Sequence, residues 1–167
     1  MSKKHKTNHL GKLLNDISIT LNYIDANVAR IMKDLRQCFS VVPGDVQIAY
    51  NNLSNFKSRF DIKAAHMLND LKHNQGFDSI PIELNKFENV LIGIDDLFDS
   101  LTYRYKNNLG FSTVANKFHE FFQYFEKLYR KLVGESKNLL KKASWIKSGV
   151  KNRMLGSKVN MNRGVHN

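Results

Sequence analysis

The sequence predicts an all-α fold, an up-down-up-down antiparallel four-helix bundle with a basic amphipathic C-terminal extension. Three observations predict it. Apolar residues recur at alternating steps of three and four in four separate stretches. Short turn-forming segments join these stretches, so consecutive helices run antiparallel. No stretch alternates apolar and polar residues as a half-buried strand would.

The first stretch carries Leu10, Leu14, Ile17, Leu21, Ile24, Val28, Ile31, Leu35 and Cys38, a heptad seam without a miss. It predicts a helix from about Asn8 to Phe39. Ser40–Asp45 holds Pro43 and Gly44 and breaks it, with Asp45 suited to cap the next helix. The second seam is Val46, Tyr50, Leu53, Phe60, Ala64, Met67 and Leu71, with Lys57 at a seam position and Phe56 beside it. A lysine can snorkel from such a place, at the cost of looser packing. Asn74-Gln75-Gly76 ends this helix, Gly76 fitting the left-handed position after a helix.

Ser79 can cap the third helix, and Pro81 is tolerated in its first turn. Its seam is Leu84, Phe87, Leu91, Ile94, Phe98, Leu101 and Tyr105. Gly93 interrupts it at a cost of about 1 kcal/mol relative to alanine, and close approach of a neighbouring bulky ring is the expected compensation. Asn107–Gly110 closes the helix, with Ser112 or Thr113 as the next cap.

The fourth stretch organises the rest. Phe111, Val114, Phe118, Phe121, Phe125, Leu128 and Leu132 form a seam that Phe122 and Tyr129 widen into a stripe. Each such ring buries roughly 150–250 Å², so the stripe belongs in the core. Gly134 offers a stop, after which Leu139, Ala143, Ile146 and Val150 resume the pattern. Either a fifth short helix folds back or one long helix overhangs the bundle; the continuing register favours the overhang. The expected organisation is a flexible basic N-terminus over 1–9, the bundle over 10–135, a basic helical extension over 136–155 and a disordered basic tail over 156–167.

The formal charge of +11 is segregated. Residues 1–12 hold four lysines and no acid, residues 13–136 are close to neutral, and residues 137–167 hold eight basic groups and no acid. Segregation of this kind points to an acidic partner. The extension adds the lone tryptophan, Trp145, to Lys137, Lys141, Lys142, Lys147, Lys151 and Arg153. These seven are the expected partner-binding residues, suited to nucleic-acid phosphates, an anionic membrane surface or a groove on a partner protein. The plain alternative is a solvated helix end packed on its own bundle.

Chemistry-bearing motifs are sparse. His5 and His9 stand four apart but supply only two ligands. His119-Glu120 opens like a zinc-protease signature, but Gln123 occupies the position that needs a second histidine. Arg59 and His66 share a face of the second helix, an arrangement in which arginine could hold a phosphate and histidine move a proton, as in a ribonuclease. Asp95, Asp96 and Asp99 form an acidic corner without the inward Glu and His ligands of a bundle metal site. No phosphate loop, nucleophile elbow or Cys/His cluster is present, so no cofactor or metal is expected. Cys38 alone cannot form an internal disulfide and fits a reducing compartment, so a cytoplasmic location is expected. No apolar run after the basic start has signal-peptide length, and none is long enough to span a bilayer.

The expected function is therefore a non-enzymatic helical-bundle interaction protein, a small subunit or accessory factor of a larger assembly. Binding of nucleic acid or an anionic membrane through the basic segment is the first alternative, and a ribonuclease using Arg59 and His66 the second.

Overall fold

The structure, a computed structural model, describes residues 2–155, with side chains over residues 9–141. It has the expected architecture. Helix α1 spans Ser2–Gln37, α2 Gly44–Lys72, α3 Ser79–Arg104 and α4 Leu109–Leu155, and no strand occurs among the described residues. The four pack as a ring in which α1 and α3 each lie between α2 and α4. Ion pairs show how α1 and α4 run. Lys12 meets Glu135 at 3.7 Å, Asp16 meets Lys131 at 3.5 Å and Asp34 meets Lys117 at 3.3 Å, so one number falls as the other rises.

The aromatic stripe of α4 is the centre of the core. Phe111, Phe118, Phe121, Phe122 and Phe125 are all buried. Phe118 stacks on Phe98 of α3 with centroids 4.7 Å apart. Phe125 reaches across the bundle diagonal to Phe56 and Phe60 of α2, at 6.3 and 6.5 Å. Edge-to-face and offset pairs at these distances add to the area term.

The heptad expected in all four helices holds strictly only in part. In α3 the buried residues Ile80, Phe87, Ile94 and Leu101 recur every seven positions, with Leu84, Leu91 and Phe98 between them. In α1 and α2 the buried residues instead recur every eleven: Leu13, Ile24 and Leu35 in α1, and Ala49, Phe60 and Leu71 in α2. Eleven residues in three turns is about 3.67 per turn, close to the undistorted helix, whereas a heptad demands 3.5. The shift puts Leu13 and Thr20 in the core and leaves Leu14 and Leu21 half-buried. It also removes the anomaly at Lys57, because Phe56 takes the core position and Lys57 turns outward to Asp25 and Asp61.

The helix ends correct several expected caps. Helix α1 begins at Ser2, not near Asn8, so most of the segment expected to be flexible is helical; Ser2–Thr7 contains no proline or glycine to stop it. Pro43 is the N-cap of α2. Asp45 lies inside the first turn, where it accepts hydrogen bonds from the Val46 N–H at 2.9 Å, the Tyr105 hydroxyl at 2.8 Å and the Arg104 guanidinium. It thereby ties the start of α2 to the end of α3. Burial alone would raise this carboxyl; the bonds from Tyr105, Arg104 and Val46 outweigh it and hold it below the usual range.

Asp78, not Ser79, precedes α3, and the Ser79 hydroxyl donates back to the Gly76 carbonyl at 2.9 Å. Gly76 has φ +80°, as the turn after α2 requires. Asn108 caps α4 in place of Ser112 or Thr113. Its Oδ1 accepts from the Phe111 N–H at 3.0 Å and its Nδ2 donates to the Cys38 carbonyl at 3.0 Å, joining the two inter-helix turns at that end.

Helix α4 passes through Gly134 without a break. Ser136 and Leu139 are still buried, so packed helix runs past residue 135. The tail expected over 156–167 lies outside the described residues.

Candidate partner-binding surfaces

The first surface is the end of the bundle where α1 starts and α4 finishes. Lys12 and Glu135 are paired there. From that point α4 continues to Leu155 and α1 runs back to Ser2, while α2 has ended at Lys72 and α3 begins at Ser79. Leu10 packs against the core and Leu139 is 5% exposed, so the two helices stay in register with the body up to that level. The antiparallel pairing carries both charge runs of the sequence to one pole: four lysines over 2–12 and six basic residues over 136–155, with no acid in either segment. Of the expected binding residues, Lys137 and Lys141 are exposed on α4. The side chains of Lys142, Trp145, Lys147, Lys151 and Arg153 lie outside the described residues, although their backbone belongs to α4.

The second surface was not expected. A groove of about 690 Å³ runs between α2 and α3. Phe56, Phe87 and Ile94 form its floor, and Ile62 and Val90 stand on opposite walls at 59% and 40% exposure. The ring expected to cover Gly93 is absent. A Cβ built there meets nothing within 4 Å, and the bare glycine opens onto the groove. Glu83 takes Lys63 at 3.7 Å and Lys86 at 3.4 Å. Arg59, exposed on the α2 wall, has no ion-pair or hydrogen-bond partner among the described residues. Sequence periodicity hid this surface, because Ile62 and Val90 fall off the seams and Gly93 reads as a packing glycine.

Two carboxyl pairs flank α1. Asp25 faces Asp61 of α2, with Lys57 at 3.7 Å from Asp25 and 3.3 Å from Asp61. Burial first, and then Asp61, pushes the Asp25 carboxyl up to about 6 against the pull of Lys57. Asp25 Oδ1 and Asp61 Oδ1 are shut from water and receive no hydrogen bond. Asp16 faces Glu135 in the same way, with Lys131 on the former and Lys12 on the latter. Burial, then Asp16, raises Glu135 while Lys12 and Lys131 lower it.

The remaining candidates do not converge on one site. Arg59 lines the α2–α3 groove, whereas His66 is exposed farther along α2 and does not line it. His119 sits 3.4 Å from Asp95 on the surface, with Gln123 at 3.3 Å from its other ring nitrogen. Asp96 and Asp99 are exposed, as is His9, and the side chain of His5 lies outside the described residues. Among the described residues no three His, Cys, Asp or Glu side chains gather as a metal site, and no helix is long and apolar enough to cross a membrane. Compared with known proteins, the chain matches no family model, no curated protein and no solved structure.

Proposed function

We propose that this is a non-enzymatic helical-bundle interaction protein, a small subunit or accessory factor of a larger assembly, that engages an acidic partner through its basic pole. The observation that supports the reading is the convergence of two charge runs, far apart in sequence, on one end of the bundle by antiparallel α1 and α4. Ten cationic side chains within two adjacent helical segments, with no acid among them, create a positive field that attracts a polyanion or an acidic surface. A merely solubilising surface would intersperse the two signs. The neutral body supplies the rigid support.

The test measures affinity for RNA, DNA, anionic vesicles and an acidic protein surface such as a poly-glutamate matrix over a salt series. Changing Lys141, Lys142, Lys147 and Lys151 to alanine should weaken binding. For duplex DNA it should flatten the salt dependence by up to about 3–4 in log–log slope if all four touch phosphate. Trp145→Ala should leave the slope unchanged and lower affinity only where stacking or interfacial burial contributes. Because α1 shares the pole, changing Lys3, Lys4 and Lys6 to alanine should act in the same direction. Affinity unchanged by both sets of substitutions would end the reading.

A further inference from the structure

We infer that the α2–α3 groove is a second docking site, built to receive an acidic amphipathic helix of a partner protein. The inference rests on the reading of this chain as an interaction protein but uses a surface separate from the basic pole.

Helix α2 borders the groove from Asn52 to Lys63 and α3 from Glu83 to Ile94. Eleven steps at 1.5 Å give a furrow about 16 Å long, the length of about three helical turns. Its floor is apolar and both walls carry an exposed β-branched side chain, so an occupant must present an apolar stripe. Gly93 widens the floor where a Cβ would otherwise project, which lets a helix or its anchoring side chain approach α3 closely.

The charge selects the occupant. Lys63, Lys86 and Arg59 stand against the single acid Glu83, and both lysines already share that carboxylate. Arg59 is the group left over. Its planar guanidinium can hold a carboxylate through two parallel hydrogen bonds. An apolar stripe flanked by Glu or Asp meets both requirements, and binding of this kind uses anchors at i, i+3, i+4 and i+7.

The test uses the full chain and a displayed library of helical peptides of about fourteen residues. Each carries a fixed leucine stripe, with Glu and Lys equally frequent at the flanking positions. Selection should enrich Glu over Lys. Gly93→Leu should reduce binding of the selected peptides at least tenfold without lowering the melting temperature, because the added side chain enters open space and leucine is the better helix former. Arg59→Glu should abolish the preference for Glu over Lys, because it leaves two acids against two lysines in the lining. A Lys-rich or unenriched pool, or equal binding to the Gly93→Leu protein, would overturn the inference. So would displacement of every selected peptide by dodecanoate with no peptide able to displace it, which would assign the groove to a small amphiphile. Substitutions at the pole should not affect peptide binding. Failure at the groove with salt-sensitive binding at the pole intact would refute this site and leave the proposed function standing.

Discussion

Replacing Asp25 by asparagine should stabilise the protein at neutral pH and leave it nearly unchanged in acid. The native Asp25 carboxyl titrates near 6 against an ordinary value of 3.8. The sign follows from proton counting. Between those two values the folded chain holds a proton that the unfolded chain has released, so stability from this group is present in acid and declines as pH rises toward 6. At about 1.36 kcal/mol per tenfold change in proton affinity, the full difference would cost the folded state about 3 kcal/mol above that range. The Asp25 side chain is 34% exposed, so solvent screening reduces this to about 1–2 kcal/mol. Asparagine removes the repulsion and can donate its amide to Asp61. The variant loses the 3.7 Å contact of Lys57 with residue 25, while Lys57 keeps Asp61 at 3.3 Å. A net gain of about 1 kcal/mol at about pH 7.5 is expected, or a rise of about 2–4 °C in melting temperature. Urea unfolding of parent and variant between about pH 4 and pH 7.5 measures it. The difference should widen in favour of the variant as pH rises. A constant difference, or one that widens in favour of the parent, would refute the raised Asp25 carboxyl as its cause.

Phe125→Ala and Phe121→Ala should each cost about 3–5 kcal/mol, since both rings are buried in the central stripe; chemical denaturation checks this, and losses under about 1 kcal/mol would mean the cavity collapses or the stripe is not core. Gly76→Ala should cost about 1–2 kcal/mol, because residue 76 has φ +80° and the new Cβ would lie 3.1 Å from that of Asp70; thermal melting reads it. Asp45→Asn should make the protein less stable above pH 4 while leaving it similar in stronger acid, the reverse of the Asp25 pattern, because the Asp45 carboxyl is held low by its partners. The double variant Arg59→Ala and His66→Ala should match the parent in an RNA-cleavage assay, and loss of a measured cleavage in it would replace the interaction reading with an enzymatic one.

The aromatic stripe announced both the fourth helix and the core, because phenylalanines at steps of three and four have no other place to go. The α3 seam matches the core from Leu84 to Leu101, but the core also takes in Ile80, and Tyr105 is the half-buried C-cap. The seams of α1 and α2 were read one position off at Leu13, Ala49 and Phe56, since a heptad and an eleven-residue repeat coincide over two turns and diverge only across a whole helix. The caps were misplaced because Asp45, Ser79 and Ser112 have the right chemistry for capping, and only the path of the chain decides which polar residue meets the free N–H groups. Asn108 was passed over for the same reason: its second bond goes to the Cys38 carbonyl, distant in sequence.

The helical class, the order of the four seams and the segregation of charge are set along the chain itself. These depend on periodicity, turn residues and composition, all of which are local. Tertiary structure decided what those features face. Pairing α1 with α4 joined two basic runs into one pole, and packing α1 against α2 and α4 brought like-charged carboxyls together. The spacing of α2 from α3 turned Gly93 from a packing residue into the opening of a groove. Each of these is a relation between residues far apart in the chain, set by which helix faces share the core, and no pattern along a single helix encodes it.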